Sequence, residues 1–165
     1  METGTLHQTE LKSTFMSPLQ LLEHWQGHRR LTRRVIEAFP ERDFFELTIG
    51  GMRPFSTMVM EMIGMGVPVL KGAITRTWGS FEKHPVPKSK DEVLKIWDAT
   101  TEKLNELFPQ ISPERFQEVD LAFGQWEGPI FWIISYSIDN EIHHRAQGYV
   151  YLRSLGIQPP FFWER

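Results

Sequence analysis

Two adjacent histidines, His143 and His144, stand in the segment "DNEIHHRAQ" near the C-terminus of this 165-residue chain. Neutral imidazole nitrogens bind divalent metals such as zinc, nickel and iron, and imidazole also exchanges protons near neutral pH. At about 3.6 residues per turn, His144 shares one helix stripe with Asn140 and Gln147 in an otherwise apolar pattern, whereas His143 is rotated by about 100°. We therefore expect His144 to point inward and His143 to lie toward an edge of the fold.

One carboxylate and a second pair of histidines are the candidate partners. Glu61 interrupts the apolar run "MVMEMIGMG", and a charge in such a setting is costly to bury unless it is paired or bound to a cation. The alternative is a Glu61 side chain on the solvent side of its helix. His24 and His28 are four residues apart, which can place both rings on one helix face, although such a pair is more often structural than metal-binding. The pattern predicts an inward polar cluster and leaves open whether it holds a metal.

Four segments must position these side chains, because each carries apolar residues at helical spacing: 18–39, 56–78, 90–108 and 129–155. Ser17 with Pro18, Ser56 and Ser89 are predicted to cap the first three helices. A bend or break is expected in the second helix at Gly64–Pro68. The pattern predicts an all-α fold, a four-helix bundle with long connecting loops. Its single domain covers 1–165, of which 1–16 form a polar lead-in.

Composition excludes several functional classes. The chain has no cysteine, so disulfides, a protein thiol nucleophile and Cys-ligated zinc are excluded. Its net charge of −3 provides no general attraction to nucleic acid or acidic membranes. The basic run "HRRLTRR", with Arg29, Arg30, Arg33 and Arg34, is interpreted as the solvated outer face of the first helix. No signal-type segment or membrane-spanning run is recognised, and we expect a cytoplasmic protein.

The last helix and its exit resemble a known family. The segment "NEIHHRAQGYVYLRSLGIQPP" is similar to the closing motif of the DinB-like (DinB/YfiT-like) superfamily, which has His, three residues, His-Arg-Gly-Gln, then Arg, a Gly turn and Pro-Pro. The segments "LLEHWQGHRRLTRRVIEAFPERDF" and "RPFSTMVMEMIGMG" resemble the first two helices of that family. The resemblance extends over residues 17–160.

This resemblance implies a bundle with up-down-down-up topology that is often dimeric, so a homodimer is expected. It also implies a divalent metal, commonly nickel or zinc, on three histidines. Characterised relatives include transferases and isomerases that use low-molecular-weight thiols. By alignment, the three metal positions fall on Glu61, Asn140 and His144, and Ala146 replaces the motif glycine. His28 or His143 could complete the set, and the oxygen-rich ligands would favour harder metals, iron included, over those that prefer imidazole.

Two functions therefore stay open. The first is a metal-dependent enzyme, a thiol-linked transferase or a hydrolase, acting on a small molecule through Glu61, Asn140 and His144. The second is a non-catalytic relative, in which Glu61 and His144 form an ion pair without metal and the bundle binds a small ligand or has a structural or stress-related role.

Overall fold

The computed structural model describes residues 16–85 and 87–165, and most of these residues are helical. The five helices in this part of the chain are α1 (Pro18–Ala38), α2 (Glu41–Glu46), α3 (Phe55–Thr75), α4 (Lys90–Leu107) and α5 (Ile130–Ser154). Between α4 and α5 lie two 3-10 turns (Phe108–Gln110 and Pro113–Gln117) and an antiparallel hairpin of β1 (Val119–Ala122) and β2 (Trp126–Pro129).

Local sequence explains where the helices begin. The Ser17 hydroxyl accepts a hydrogen bond from the Gln20 backbone N–H at 3.2 Å, and the Gln20 side chain accepts one from Ser17 N–H at 2.8 Å. This reciprocal arrangement satisfies two N–H groups that a helix start would leave unpaired. Ser89 caps α4 in the predicted way through the Glu92 backbone N–H. The predicted cap at Ser56 is wrong, because α3 begins at Phe55 after Pro54 and Ser56 lies inside the helix.

The four long helices pack as two pairs of neighbours. Helices α1 and α3 each contact both α4 and α5, which is the contact pattern of a bundle. Helix α3 is long and apolar enough to cross a membrane by length and composition, but 72% of that window is buried inside the fold, as in the core helix of a globular domain. The all-helical prediction is therefore right for the long elements, and the up-down-down-up order stays a prediction.

The long connections contain regular structure that the sequence pattern did not indicate. Helix α2 occupies the first connection, and the β1–β2 hairpin occupies the last one. The hairpin pairs Ala122 with Trp126, and its turn places Phe123 and Gly124 at φ values of 54° and 69°. A positive φ suits Gly124 but is uncommon for a phenylalanine, so tertiary packing of Phe123 must hold this turn.

Helix α3 is continuous through Gly64–Pro68, so of the expected bend or break the break is wrong. Proline has no N–H, so Pro68 cannot donate to the carbonyl of residue 64, four positions earlier. The Gly64 carbonyl instead accepts a hydrogen bond from the Glu82 backbone N–H at 3.0 Å. A Cβ at position 64 would lie 2.5 Å from the Glu82 carbonyl oxygen. The segment after α3 is therefore held against the helix by the Glu82–Gly64 hydrogen bond. Pro68 leaves the Gly64 carbonyl free to accept it, and the absence of a side chain at Gly64 lets Glu82 approach.

We predict that Gly64→Ala destabilises the protein by about 1–3 kcal/mol, because its new methyl group forces the segment at Glu82 away from α3. Urea denaturation measures this change in the free energy of unfolding. Gly79→Ala is the matched control, since a Cβ there meets nothing within 4 Å. Equal free energies of unfolding for the two variants would show that the close approach at Gly64 does not contribute to stability.

Candidate functional site

Glu61 of α3 meets Asn140 and His144 of α5 in one polar cluster. Its Oε1 atom lies 3.1 Å from His144 Nε2 and 3.2 Å from Asn140 Nδ2. His144 and Asn140 are one turn apart on α5, so both face α3. The three positions that the sequence aligned with the family's metal site are therefore brought together by the fold. Glu61 is partly exposed and His144 is buried.

Two further side chains extend this cluster. The Arg53 guanidinium, in the loop before α3, donates to Glu61 Oε2 at 2.7 Å. Gln147 Oε1 lies 2.8 Å from His144 Nδ1, so the ring has an acceptor oxygen beside each nitrogen. Glu61 consequently accepts hydrogen bonds on both of its oxygens, and His144 is held in a fixed orientation between Glu61 and Gln147.

The pKa of Glu61 lies below its usual range. Partial burial raises this pKa, but hydrogen bonds from Arg53, His144 and Asn140 together outweigh the burial. The Glu61 side chain therefore stays ionised at neutral pH. A general base needs a pKa near the working pH, so a carboxylate of this kind is suited to recognise a donor or cation rather than to remove protons.

The donor set does not fit a divalent metal in this arrangement. Metal binding needs lone pairs that converge on one point, whereas here the N–H groups of Arg53, Asn140 and His144 converge on one carboxylate. The Asn140 Oδ1 atom, which would have to ligate, is buried without a hydrogen-bond partner among the described residues. In residues 16–85 and 87–165 no group of three His, Asp or Glu side chains is placed to hold a metal ion. Arg53 already supplies the positive charge that Glu61 requires.

His28 belongs to a second polar cluster, between α1 and α5, and does not complete the first. Its Nδ1 atom lies 2.9 Å from the Arg145 guanidinium, and its Nε2 atom lies 3.2 Å from Arg165 and from His24. Burial, followed by the charge of Arg145 and the effects of His24 and Arg165, lowers the pKa of His28 to about 3. The ring is therefore neutral throughout the ordinary pH range.

Glu141 lies at the centre of this second cluster and is fully buried. It accepts hydrogen bonds from Thr32 Oγ1 at 2.6 Å and Trp25 Nε1 at 3.3 Å, and Arg29 and Arg145 lie within 4.0 Å. Burial raises its pKa, which these partners oppose. A buried carboxylate with several donors is a common structural feature, so this cluster is interpreted as the link between α1 and α5.

His143 lies at the surface as predicted, whereas Arg29 is buried and not exposed as predicted. His143 is exposed on α5, at the edge where the helix pattern placed it, and contacts His144 ring to ring at 5.0 Å. Arg29 is not on the outer face as expected, since it is 2% exposed and its guanidinium lies 3.4 Å from the centre of the Trp97 ring. Three arginines of the basic run are thus left for the surface of α1.

An aromatic pocket of about 390 Å³ opens beside Glu61, between α3, α5 and the hairpin. Its floor is apolar and its walls carry five aromatic rings. The floor includes Met65, Val69, Ala122 and Ile133, and the rings are those of Phe81, Phe123, Trp126, Trp132 and Tyr136. Phe81 lies next to Glu82 in the segment held at Gly64, and Glu82 also lines the pocket. We call this cavity the aromatic pocket below.

Sequence reasoning missed this pocket and Arg53. The hairpin brings Phe123 and Trp126 to the pocket, and the segment after α3 brings Phe81 and Glu82, although both were interpreted as unstructured connections. The signals available were the concentration of aromatic residues in "RTWGSFEKH" and "LAFGQWEGPIFW" and the proline at position 68. Neither signal indicates contact without the fold, because the two segments are about 40 residues apart in the chain.

Comparison with known proteins identifies the architecture. A model of the DinB family matches residues 131–164, which include most of α5 and the tail. A DinB-like protein from Bacillus cereus is 15% identical with a TM-score of 0.74, and the match covers 90% of this chain and 99% of that chain. A DinB-like protein from Bacillus subtilis is 16% identical with a TM-score of 0.69, covering 88% and 99%.

A more distant match is to a variant of a mycothiol-dependent maleylpyruvate isomerase. It is 10% identical with a TM-score of 0.62, and the match covers 79% of this chain and 60% of that chain. At these identities the likeness concerns the fold. No curated protein sequence matches the chain significantly.

We predict that His28 makes stability fall as the pH is lowered from 7 to 5. In the unfolded chain the ring takes up a proton near pH 6.5, but in the folded protein its pKa of about 3 prevents protonation, so acid favours unfolding. Over this range the wild type should lose about 2 kcal/mol more than His28→Asn, whose amide oxygen can still accept from Arg145. Urea denaturation at each pH measures the difference.

The control is His143→Asn, which removes an exposed histidine from α5 and should keep the wild-type pH dependence. If His28→Asn also kept that dependence, the buried neutral histidine would not be its source.

Proposed function

We propose that this protein is a member of the DinB-like superfamily that binds a small molecule in the aromatic pocket, with Glu61 as its polar contact and without a bound metal. The observation that carries the proposal is the position of Glu61, which lines the pocket and is held by three N–H donors. Large apolar pockets with a few fixed polar groups are the usual form of ligand sites in proteins.

The aromatic side chains support a binding role. Trp126, Trp132 and Tyr136 are between 45% and 55% exposed, and Phe81 is 39% exposed. Large aromatic surfaces left in water are unfavourable, and a contiguous patch of this kind usually marks a site of interaction. A bound small molecule would cover these rings and the apolar floor at the same time.

Binding is a better match to the Glu61 site than catalysis. Arg53, His144 and Asn140 lower the pKa of Glu61, so its carboxylate is a weak base. His144 has both nitrogens beside acceptor oxygens, Glu61 Oε1 and Gln147 Oε1, and is buried behind Glu61. Its role in the proposal is to orient Glu61. The metal-dependent transferase or hydrolase expected from the resemblance would need Arg53 to leave Glu61 and the Asn140 amide to turn over.

We predict that the neutral fluorophore N-phenyl-1-naphthylamine binds the protein and that Ala122→Phe weakens this binding about ten-fold, a loss of about 1.4 kcal/mol. Ala122 is buried in the pocket floor, so a phenylalanine there fills the space of the probe. Fluorescence titration measures the affinity, and circular dichroism confirms that the variant is folded. Ala146→Phe, on the exposed face of α5, is the control and should bind like the wild type.

If the probe did not bind, or bound equally well to folded Ala122→Phe, the aromatic pocket would not be the ligand site. Weaker binding to Ala146→Phe alone would place the probe on the outer face of α5 instead.

We also predict that protein purified without a His-tag retains far less than one equivalent of nickel or zinc after incubation with either ion and desalting. The physical reason is that Arg53 neutralises Glu61 and that Asn140 offers its N–H₂ group to the site. Metal analysis by inductively coupled plasma mass spectrometry measures the content. Stoichiometric metal that is lost in both Glu61→Gln and His144→Asn would overturn the metal-free proposal in favour of the metal-dependent enzyme.

A further inference from the structure

The ionisable side chains that line the aromatic pocket are all acidic. Glu61 and Glu82 are the two charged residues of its lining, and no lysine, arginine or histidine is among the lining residues. The basic neighbours of the two carboxylates lie outside the lining: Arg53 lies 2.7 Å from Glu61, and Lys71 and His84 lie 3.1 Å and 3.8 Å from Glu82. An anionic ligand would therefore meet two carboxylates and no facing positive charge.

The basic partners of the two carboxylates lie toward solvent and outside the pocket lining. The side chains of Arg53 and Lys71 are about half exposed, at 49% and 53%. Exposed ion pairs contribute little to stability, because water screens them and two long side chains must be ordered. A cation in the pocket can approach both carboxylates from the pocket side while Arg53 and Lys71 stay in place, since neither partner is part of the lining. The lining of the pocket is thus complementary to positive charge.

The rings of the pocket add a second attraction for a cation. The rings of Phe81, Phe123 and Trp126 form a triangle, with ring centres 4.6 Å, 6.0 Å and 6.3 Å apart. The face of an aromatic ring carries negative electrostatic potential, so a cation within about 6 Å of the ring centre is attracted. Trp132 extends this wall from α5, and Gly128 of β2 leaves space for its ring.

We propose that the ligand of the aromatic pocket is a small organic cation, an amine or quaternary ammonium group attached to an apolar body. The cationic group lies between Glu61, Glu82 and the ring faces, and the apolar body lies on the floor formed by Met65, Val69 and Ile133. This inference rests on the proposed function and specifies the chemical class of ligand for the same site.

The hydrogen bond at Gly64 connects this specificity to the fold. It holds the segment that carries both Phe81, a ring of the wall, and Glu82, one of the two carboxylates. Glu61 lies on the same helix, one turn before Gly64. Charge and ring are therefore positioned together by one backbone contact, and neither would face the pocket if the segment after α3 detached.

The test compares two probes of equal shape. Benzyltrimethylammonium and neopentylbenzene differ in one atom, the quaternary nitrogen that replaces a quaternary carbon, so their affinities separate charge from size. Both compete with N-phenyl-1-naphthylamine in the fluorescence titration, and phenylacetate serves as the anionic probe. We expect the cation to bind about ten-fold more tightly than its neutral isostere, and phenylacetate to bind more weakly than either.

Charge variants identify the groups responsible. Glu61→Gln and Glu82→Gln should each reduce the preference for the cation over neopentylbenzene about three-fold or more. Trp126→Leu should lower the affinity for the cation more than that for the neutral probe. Glu106→Gln, a surface glutamate on α4, is the matched control and should keep the wild-type preference.

The outcomes separate this inference from the proposed function. Equal binding of the two isosteres, or a cation preference that persists in both Glu61→Gln and Glu82→Gln, would overturn the cation proposal and leave the pocket as a ligand site. Failure of the fluorophore itself to bind would overturn the proposed function as well.

Discussion

The carbonyl group of Gly64 is the point on which the candidate site depends. Pro68 removes its normal partner in the middle of a buried helix, and an unpaired buried carbonyl is energetically costly. The Glu82 backbone N–H supplies the missing hydrogen bond, so the chain that leaves α3 must turn back along the same helix. One wall of the aromatic pocket exists because of that turn. The helical hydrogen bond that Pro68 removes is thus replaced by one that fixes the segment after α3.

Helix α5 takes part in two carboxylate clusters that differ in how deeply the carboxylate is buried. On one side, Glu141 is fully buried and is surrounded by donors from α1, which joins the two helices. On the other side, Glu61 reaches α5 from α3, remains about one-third exposed and borders a cavity. The first cluster serves stability and the second is available for recognition. Adjacent residues of one helix, Asn140 and Glu141, belong to different clusters because they point about 100° apart.

The DinB-like fold brings Glu61, Asn140 and His144 together, but the side chains at these positions determine the chemistry of the site. The relatives share the helical architecture at 16% identity or less, and a fold of this kind supports many functions through changes at a few positions. Here the three positions that the resemblance assigns to a metal hold a glutamate, an asparagine and a histidine, and an arginine from a neighbouring loop pairs with the glutamate. A guanidinium can supply the same positive charge as a metal ion, but it is a donor and not a Lewis acid. This difference favours binding over catalysis.

By itself, the sequence determined the helical class, the approximate limits of the four long helices, the caps at Ser17 and Ser89, and the inward direction of His144. These features follow from local periodicity and from short-range hydrogen bonds, which are encoded within a few residues. Only the tertiary structure decided that Glu61 meets both His144 and Arg53, that His28 and Arg29 turn to a separate cluster, and that Gly64 holds Glu82. Those outcomes depend on which faces meet across the bundle and on where long connections fold back, and neither is set by local spacing.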